Sequence, residues 1–510
     1  MNQSFVARRR CVVWSCALIL SGIGILHADV KPSALFSDHM VLQSGMSVPI
    51  WGTASPGEQV TVTLNGQERS AATAENGKWM VRLKNLKAGG PFEMTIAGKN
   101  TITVKDVLVG EVWLGSGQSN MAFTVSKARA YYAGVNNEAE EIAAANYPQI
   151  RMFTGRDSKA YEPQTEIQGQ WLICNPENVP GFSAVGYFFA RDLQREIQKP
   201  IGILTLAFGA STAEAWIPRE AMAADPLLKP MLDNFDAAVK FYRTDPNAPP
   251  SQGPAIPQTI NARPGPAPKR QRDPVQNQHY PTVLFNGMIN PAIPYAIRGV
   301  IWYQGESIVG GDAGVALYPH VQATLIKTWR KLWGEGEFPF YIVQLAALQN
   351  ISNNPHVREG QAAVLSLPNT GMAVTIDIGD PKNVHPKDKQ DLGDRLTRIA
   401  LAHVYGRKIE YSGPMYESMK IEGNTIHLKF SHLGGGLVAK GGPLKWFVIA
   451  GDDQKFVTAD AKIEGNTVVV SSPQVSSPAA VRYAWDNYPE GCNLYNVAGL
   501  PAAPFRTDKW

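Results

Sequence analysis

Cysteine is scarce: four residues in 510. Two of them, Cys11 and Cys16, fall in an N-terminal stretch with the order of a secretory leader. Arg8, Arg9 and Arg10 come first, an apolar run from Val12 to Leu26 follows, and Leu26-His27-Ala28 ends it as a cleavage site. Met1–Ala28 is therefore expected to be a signal peptide, which leaves Cys174 and Cys492 as one potential disulfide whose formation the sequence does not decide. Charge of one sign is lacking too. The leader holds three Arg and no acid, so 45 basic residues remain against 44 acidic ones. A balance this even excludes nucleic acid as the expected partner. No other run reaches 18 apolar residues, so the mature chain is expected to have no membrane association and to be periplasmic or extracellular. No His/Cys spacing fits a zinc site and no HExxH occurs, so neither a metal nor an organic cofactor is expected.

What is abundant is Gly (46), Pro (37) and aromatic residues, with 12 Trp, 17 Tyr and 18 Phe. Together these point to large cores joined by many turns, not to a helical bundle. From residue 29 to about 105 apolar residues alternate between Asn-Gly turns: Val60, Val62 and Leu64 run into Asn65-Gly66, and Trp79, Val81 and Leu83 follow Asn76-Gly77. That reads as hairpins of a sandwich-like β-region. From 106 to 410 compact apolar strands (Val107–Leu114, Ile201–Leu206, Val300–Tyr303, Tyr341–Leu345, Ala373–Ile378) alternate with helical stretches. One helix carries Val185, Phe188, Phe189 and Leu193, another Leu317, Val321, Leu325 and Trp329, and a third Leu392, Leu396, Ile399 and His403, the last expected to be a core histidine on that apolar stripe. This predicts an α/β domain with a mostly parallel sheet covered on both faces. Residues 245–281 form a Pro-rich loop, a reasonable place for substrate contacts. From 411 to 510 alternation returns, and Ile421-Glu422-Gly423-Asn424-Thr425 recurs as Ile463-Glu464-Gly465-Asn466-Thr467, each copy preceding a strand of a second all-β region.

In an open parallel sheet, ligands bind at the carboxyl ends of the strands. The residues that follow the strands are therefore informative. They are Gly115-Ser116-Gly117-Gln118-Ser119-Asn120, Phe208-Gly209-Ala210-Ser211, Gln304-Gly305-Glu306-Ser307, and Gly379-Asp380-Pro381-Lys382-Asn383-Val384-His385. A serine in a Gly-rich turn, a glycine, an amide side chain and an Asp/His pair are the parts of acyl transfer: nucleophile, backbone donor, side-chain donor and base. The Gly-x-Ser-x-Gly elbow is incomplete, because Met121 stands where its last Gly would be.

Gly110–Met121 resembles the nucleophile block of the sialate O-acetylesterase family, a branch of the SGNH hydrolases. Ile301–Ser307 is similar to that family's third block, and Ile376–Asp380 with His385–Lys389 to its histidine block. Val481–Trp485 and Gly499–Thr507 resemble its C-terminal segment. The resemblance covers nearly the whole mature chain. It implies an SGNH-like parallel-sheet hydrolase domain flanked by N- and C-terminal all-β regions, and a carbohydrate O-acetylesterase acting on an acetylated carbohydrate. In that pattern Ser119 is the nucleophile and His385 the base, while Gly209 and Gln304 build an oxyanion hole with the Ser119 amide. Many SGNH hydrolases carry an Asp three residues before the histidine, where this chain has Lys382. Asp380 is the nearby candidate acid; the alternative is a Ser–His dyad oriented by other groups. The sugar is open between sialic acid and a plant polysaccharide such as xylan or xyloglucan. Two further readings are a non-catalytic carbohydrate-binding protein and an esterase for another substrate class. Trp216, Trp302 and Tyr303 are candidates for stacking on sugar rings, with core packing as the plainer role.

Overall fold

A computed structural model describes residues 29–127, 133–260, 272–349, 351 and 353–510. The expected signal peptide and residues 261–271 of the Pro-rich loop lie outside the described residues.

The N-terminal region forms the expected hairpins. Strands Gln59–Leu64 and Gln67–Ala72 pair with Leu64 opposite Gln67, so Asn65-Gly66 is a two-residue turn. Both turn residues have positive φ, 46° and 76°, which Asn and Gly tolerate best. The region is not a separate bead. Its last strand, β1 (Thr101–Gly117), pairs antiparallel with Gly89–Ala97 over its first part and then enters the central sheet. The expected boundary at 105/106 thus falls inside one strand.

The central sheet adds β2 (Tyr147–Thr154), β3 (Trp171–Cys174), β4 (Ile201–Ala207), β5 (Gly299–Tyr303), β6 (Phe340–Val343) and β7 (Thr370–Ala373), in the order β3-β2-β4-β1-β5-β6-β7. All neighbours are parallel except β3, which caps the edge antiparallel to β2. Every residue of β4, β5, β6 and β7 is buried, as a sheet covered on both faces requires.

The main helices are α1 (Ser119–Ala122), α2 (Ala184–Ile197), α3 (Gly311–Trp333), α4 (Asn354–Ala363) and α5 (Gln390–His403). On one face Trp113 of β1 meets Phe189 of α2 edge-on at 5.1 Å and Tyr341 of β6 at 5.5 Å. On the other, Trp302 of β5 meets Trp329 of α3 at 5.8 Å and Trp216 at 6.1 Å. Register explains the split: Gly299 pairs with Trp113, and Trp302, three residues on, points the opposite way. The chain moves outward from β1 to β2, returns through β4, then crosses to β5. The order reverses around the carboxyl end of β1, which puts the ligand crevice there.

Two expectations need adjustment. Strand Ala373–Ile378 is displaced: β7 ends at Ala373, opposite Val343, because β6 ends there. The next residues turn away, with Thr375 Oγ1 donating to Gln344 O. His403 is an exposed residue at the end of α5, its ring edge-on to Tyr411 and Tyr341, and not a core histidine.

In the C-terminal region each Ile-Glu-Gly-Asn-Thr copy closes a hairpin with strands on both sides. Glu422 pairs with Thr425 and Glu464 with Thr467. In both, the Thr hydroxyl donates to the Glu carbonyl across the turn, at 2.8 and 2.9 Å. The two hairpins join through Thr425–Ser431 and Thr467–Ser471 into one four-stranded sheet. Cys174 and Cys492 are both buried and unbridged. Among the described residues no helix is long and apolar enough to cross a membrane.

Candidate active site

Ser119 opens α1 directly beyond β1. Gly117 makes the approach possible. Its φ is +129°, and a Cβ there would lie 2.1 Å from the Tyr303 carbonyl. Gln118 N donates to Tyr303 O at 2.9 Å, locking the turn to the end of β5. Phe208 N donates to Gly117 O at 3.0 Å, locking it to the end of β4.

His385 comes from the loop between β7 and α5, and its Nε2 lies 2.9 Å from Ser119 Oγ. The half-buried ring is held in the neutral form. Burial, then the charge of Lys389, pull its pKa down from 6.5 to about 4. With Nε2 unprotonated, the serine hydroxyl is the donor of this contact. Nested side-chain turns shape the loop. Asp380 Oδ1 accepts from the Lys382 and Asn383 amides, and Asn383 Oδ1 accepts from the His385 amide. Asp380 therefore enters the structure as a builder of the histidine loop. The other nearby acid, Asp377, is held by Arg395 at 2.7 Å and by the Tyr495 hydroxyl at 3.0 Å.

Gly209 faces Ser119: a Cβ at Gly209 would stand 3.7 Å from Ser119 Cβ. The next residue, Ala210, is exposed with φ +54°, an uncommon conformation for a residue with a side chain. Its carbonyl accepts from His279 Nε2 at 2.9 Å.

Gln304 departs from its expected role. It is fully buried, and Nε2 donates to Ser211 O at 3.2 Å and Ser307 O at 2.9 Å, while Oε1 accepts from the Tyr318 hydroxyl at 2.7 Å. Both amide hydrogens are thus committed to backbone carbonyls. The side chain ties the loops after β4 and β5 together and presents no donor toward Ser119.

Behind the Ser119–His385 contact lies a buried polar cluster. Asn120, next to Ser119, donates to Glu306 Oε1 at 2.5 Å and to Val384 O at 2.9 Å, and accepts from Lys389 Nζ at 2.8 Å. Neither Asn120 nor Lys389 was singled out by the motifs, although both lie within them. Their signal was adjacency: one follows the serine and the other sits four residues past the histidine. Trp216, Trp302 and Tyr303 are buried at 0, 2 and 1% exposure, so they pack the core and do not meet a sugar. Among the described residues no group of three or more His, Cys, Asp or Glu is placed to hold a metal.

A cavity of about 380 Å³ has Glu214, His279, residues 255–258 of the Pro-rich loop and Val309–Gly311 in its walls, and His279, which holds the Ala210 carbonyl, connects it to the turn after Gly209. A second, of about 480 Å³, shares Ile256, Pro257, Gln258 and His279 with it.

Residues 276–402 match the family described as carbohydrate esterase, sialic acid-specific acetylesterase. The sialate O-acetylesterase of Mus musculus is 30% identical over 95% of this chain and 94% of its own length, and that of Homo sapiens is 30% identical over 95% and 93%. Among solved structures, a carbohydrate acetylesterase from Xanthomonas citri is 34% identical, with a TM-score of 0.80 over 94% of this chain and 100% of that one.

Proposed function

The chain belongs to the sialate O-acetylesterase family and is a carbohydrate O-acetylesterase, and from that premise we propose a serine-esterase mechanism of SGNH type with Ser119 as nucleophile and His385 as base. The observation that carries it is the 2.9 Å contact between Ser119 Oγ and His385 Nε2, at the end of the sheet's central strand.

In this mechanism Ser119 Oγ attacks the acetyl carbonyl as its proton passes to His385 Nε2. The Ser119 and Gly209 amides hold the oxyanion, each donor of this kind contributing about 10²–10³ in rate. The C–O bond to the sugar breaks, and His385 returns the proton to the leaving hydroxyl. Water, deprotonated by the same imidazole, then cleaves the acetyl-serine to acetate. Asp380 takes part only through the loop it shapes.

For the substrate we propose an O-acetylated sialic acid, the class named for the family profile and for the mammalian relatives. A specific observation favours a second reading, an acetylated polysaccharide. The two adjoining cavities along the Pro-rich loop offer far more room than one sugar ring fills. The Ser119–His385 pair weighs against a non-catalytic role. Export by the Met1–Ala28 leader belongs to the same proposal, and a mature N-terminus at Asp29 would bear it out.

The test is acetate release by the purified protein from O-acetylated sialic acid, acetylated xylan, acetylated xyloglucan and an artificial acetyl ester, beside Ser119→Ala. Release from one glycan, lost in the variant, supports the mechanism and names the sugar. A folded Ser119→Ala enzyme that keeps its activity overturns the assignment.

A further inference from the structure

Lys389 occupies a position that stability alone does not explain. Its side chain is wholly buried, and it stands at the N-cap of α5, where the helix dipole disfavours a cation. A methionine would fill the same space without desolvating a charge. What the ammonium does there is specific. It donates to Asn120 Oδ1 at 2.8 Å and lies over the rings of Phe123 and Tyr303, at 4.9 and 5.3 Å from their centroids.

Asn120 is held in one orientation as a result. Its Nδ2 donates to Glu306 Oε1 and to the carbonyl of Val384, and its oxygen faces Lys389. Flipping the amide would set oxygen against two acceptors and nitrogen against an ammonium. Asn120 adjoins Ser119, and Val384 adjoins His385. One amide therefore ties the nucleophile turn to the base loop.

We propose that Lys389 is a positioning residue of the esterase: its ammonium locks Asn120 across the nucleophile turn and the base loop. The same charge, four residues past His385, favours the neutral imidazole that accepts the serine proton. This rests on the assignment of Ser119 and His385 made above. Among the groups facing His385 are the Ser119 hydroxyl, the Phe123 ring and the Lys389 charge. Those facing Lys389 are Asn120, Phe123, Tyr303 and the charges of Glu306 and Asp388, which oppose the burial that pulls it down to about 7. Lys389 is thus charged through the acid range in which His385 titrates.

The experiment measures kcat and KM for acetate release from an artificial acetyl ester between about pH 4 and pH 8. The variants are Lys389→Arg, Lys389→Met and the double variant Lys389→Met/Glu306→Gln, which leaves no lone buried charge and guards against misfolding of the single one. The charge-free variants are expected to lose about tenfold or more in kcat with KM little changed, and their acid limb to move up by about one pH unit. Lys389→Arg is expected to keep the limb in place. A folded Lys389→Met or double variant with the parent's kcat and acid limb overturns the proposal. Ser119→Ala is run beside them. If it stays active, the underlying assignment fails; if it is dead while the Lys389 variants behave as the parent, the positioning role alone fails.

Discussion

The guanidinium of Arg358, completely buried on α4, donates through Nη2 to the carbonyl of Asn487 at 3.0 Å. The same side chain reaches Asp486 O at 2.8 Å, and on its own side Leu345 O and Ala346 O, each at 2.9 Å. Four carbonyls from two regions converge on one cation, which burial pulls down to about 9. The neighbouring Glu359 pairs elsewhere, with Arg506 at 2.9 Å. Leu345 and Ala346 share a small cleft with Asn120, Glu306 and Val384, so the C-terminal region is held against the back of the site. Arg358→Met should cost about 3 kcal/mol, since it leaves buried carbonyls without donors. Thermal or urea unfolding reads this directly. A loss below about 0.5 kcal/mol, the range of ordinary surface changes, would mean the clamp is not needed.

The acid side of the pH–rate profile follows from His385. Its pKa is depressed, so the neutral base is present above about 4 and is lost only as pH falls through that value. kcat/KM on an uncharged acetyl ester should therefore hold nearly level from neutrality down to about pH 5. A limb centred near the ordinary histidine value would show that burial and Lys389 do not act on the ring as the geometry implies.

Gly117→Ala tests the strand-to-helix turn. The added methyl would meet the Tyr303 carbonyl, and the φ of +129° is strained for any residue with a Cβ. The turn must shift, and Ser119 with it. We expect at least a hundredfold loss of kcat, in keeping with the sensitivity of catalysis to displacements of about 1 Å. Single-turnover acetylation isolates the effect from product release.

Gln304→Ala separates two roles for a buried amide. An oxyanion donor removed should leave stability nearly intact and lower kcat alone. An amide that joins Ser211 O to Ser307 O should lower the unfolding free energy by about 2–3 kcal/mol when removed, because both carbonyls lose their partner. The structure predicts the second result, and calorimetry beside kcat decides it.

The parts of this molecule that could be foreseen are those governed by local pattern. Alternation and Asn-Gly turns marked the hairpins, apolar runs marked five of the seven strands of the central sheet, and the segments that follow parallel strands include Ser119, Gly209 and His385, which the fold brings together. What escaped was set by distance through space. Gln304 sits at a strand end as expected, yet its rotamer is dictated by Ser211, 93 residues away, and by Tyr318. Asp380 looks like a catalytic acid by proximity in the chain, but its carboxylate serves the two amides that follow it. Lys389 reads as an ordinary charge ahead of a helix. Only the packing of Asn120, Phe123 and Tyr303 around it shows that it is buried. The edge of the N-terminal region lies elsewhere for the same reason: composition changes near residue 106, while the strand only bulges there, at Lys105–Asp106, and runs on to Gly117.

That continuity gives β1 a significance of another kind. A protein whose accessory region hangs on a linker can exchange it by recombination, as a cassette, without disturbing its chemistry. Here there is no seam to cut. A splice at 105/106 would join two half-strands whose register must match on Gly89–Ala97 at one end and on β4 and β5 at the other. A slip of one residue would turn every side chain between them to the wrong face and carry Ser119 along the strand axis. The N-terminal region and the esterase sheet therefore share one strand and cannot be exchanged separately without rebuilding it.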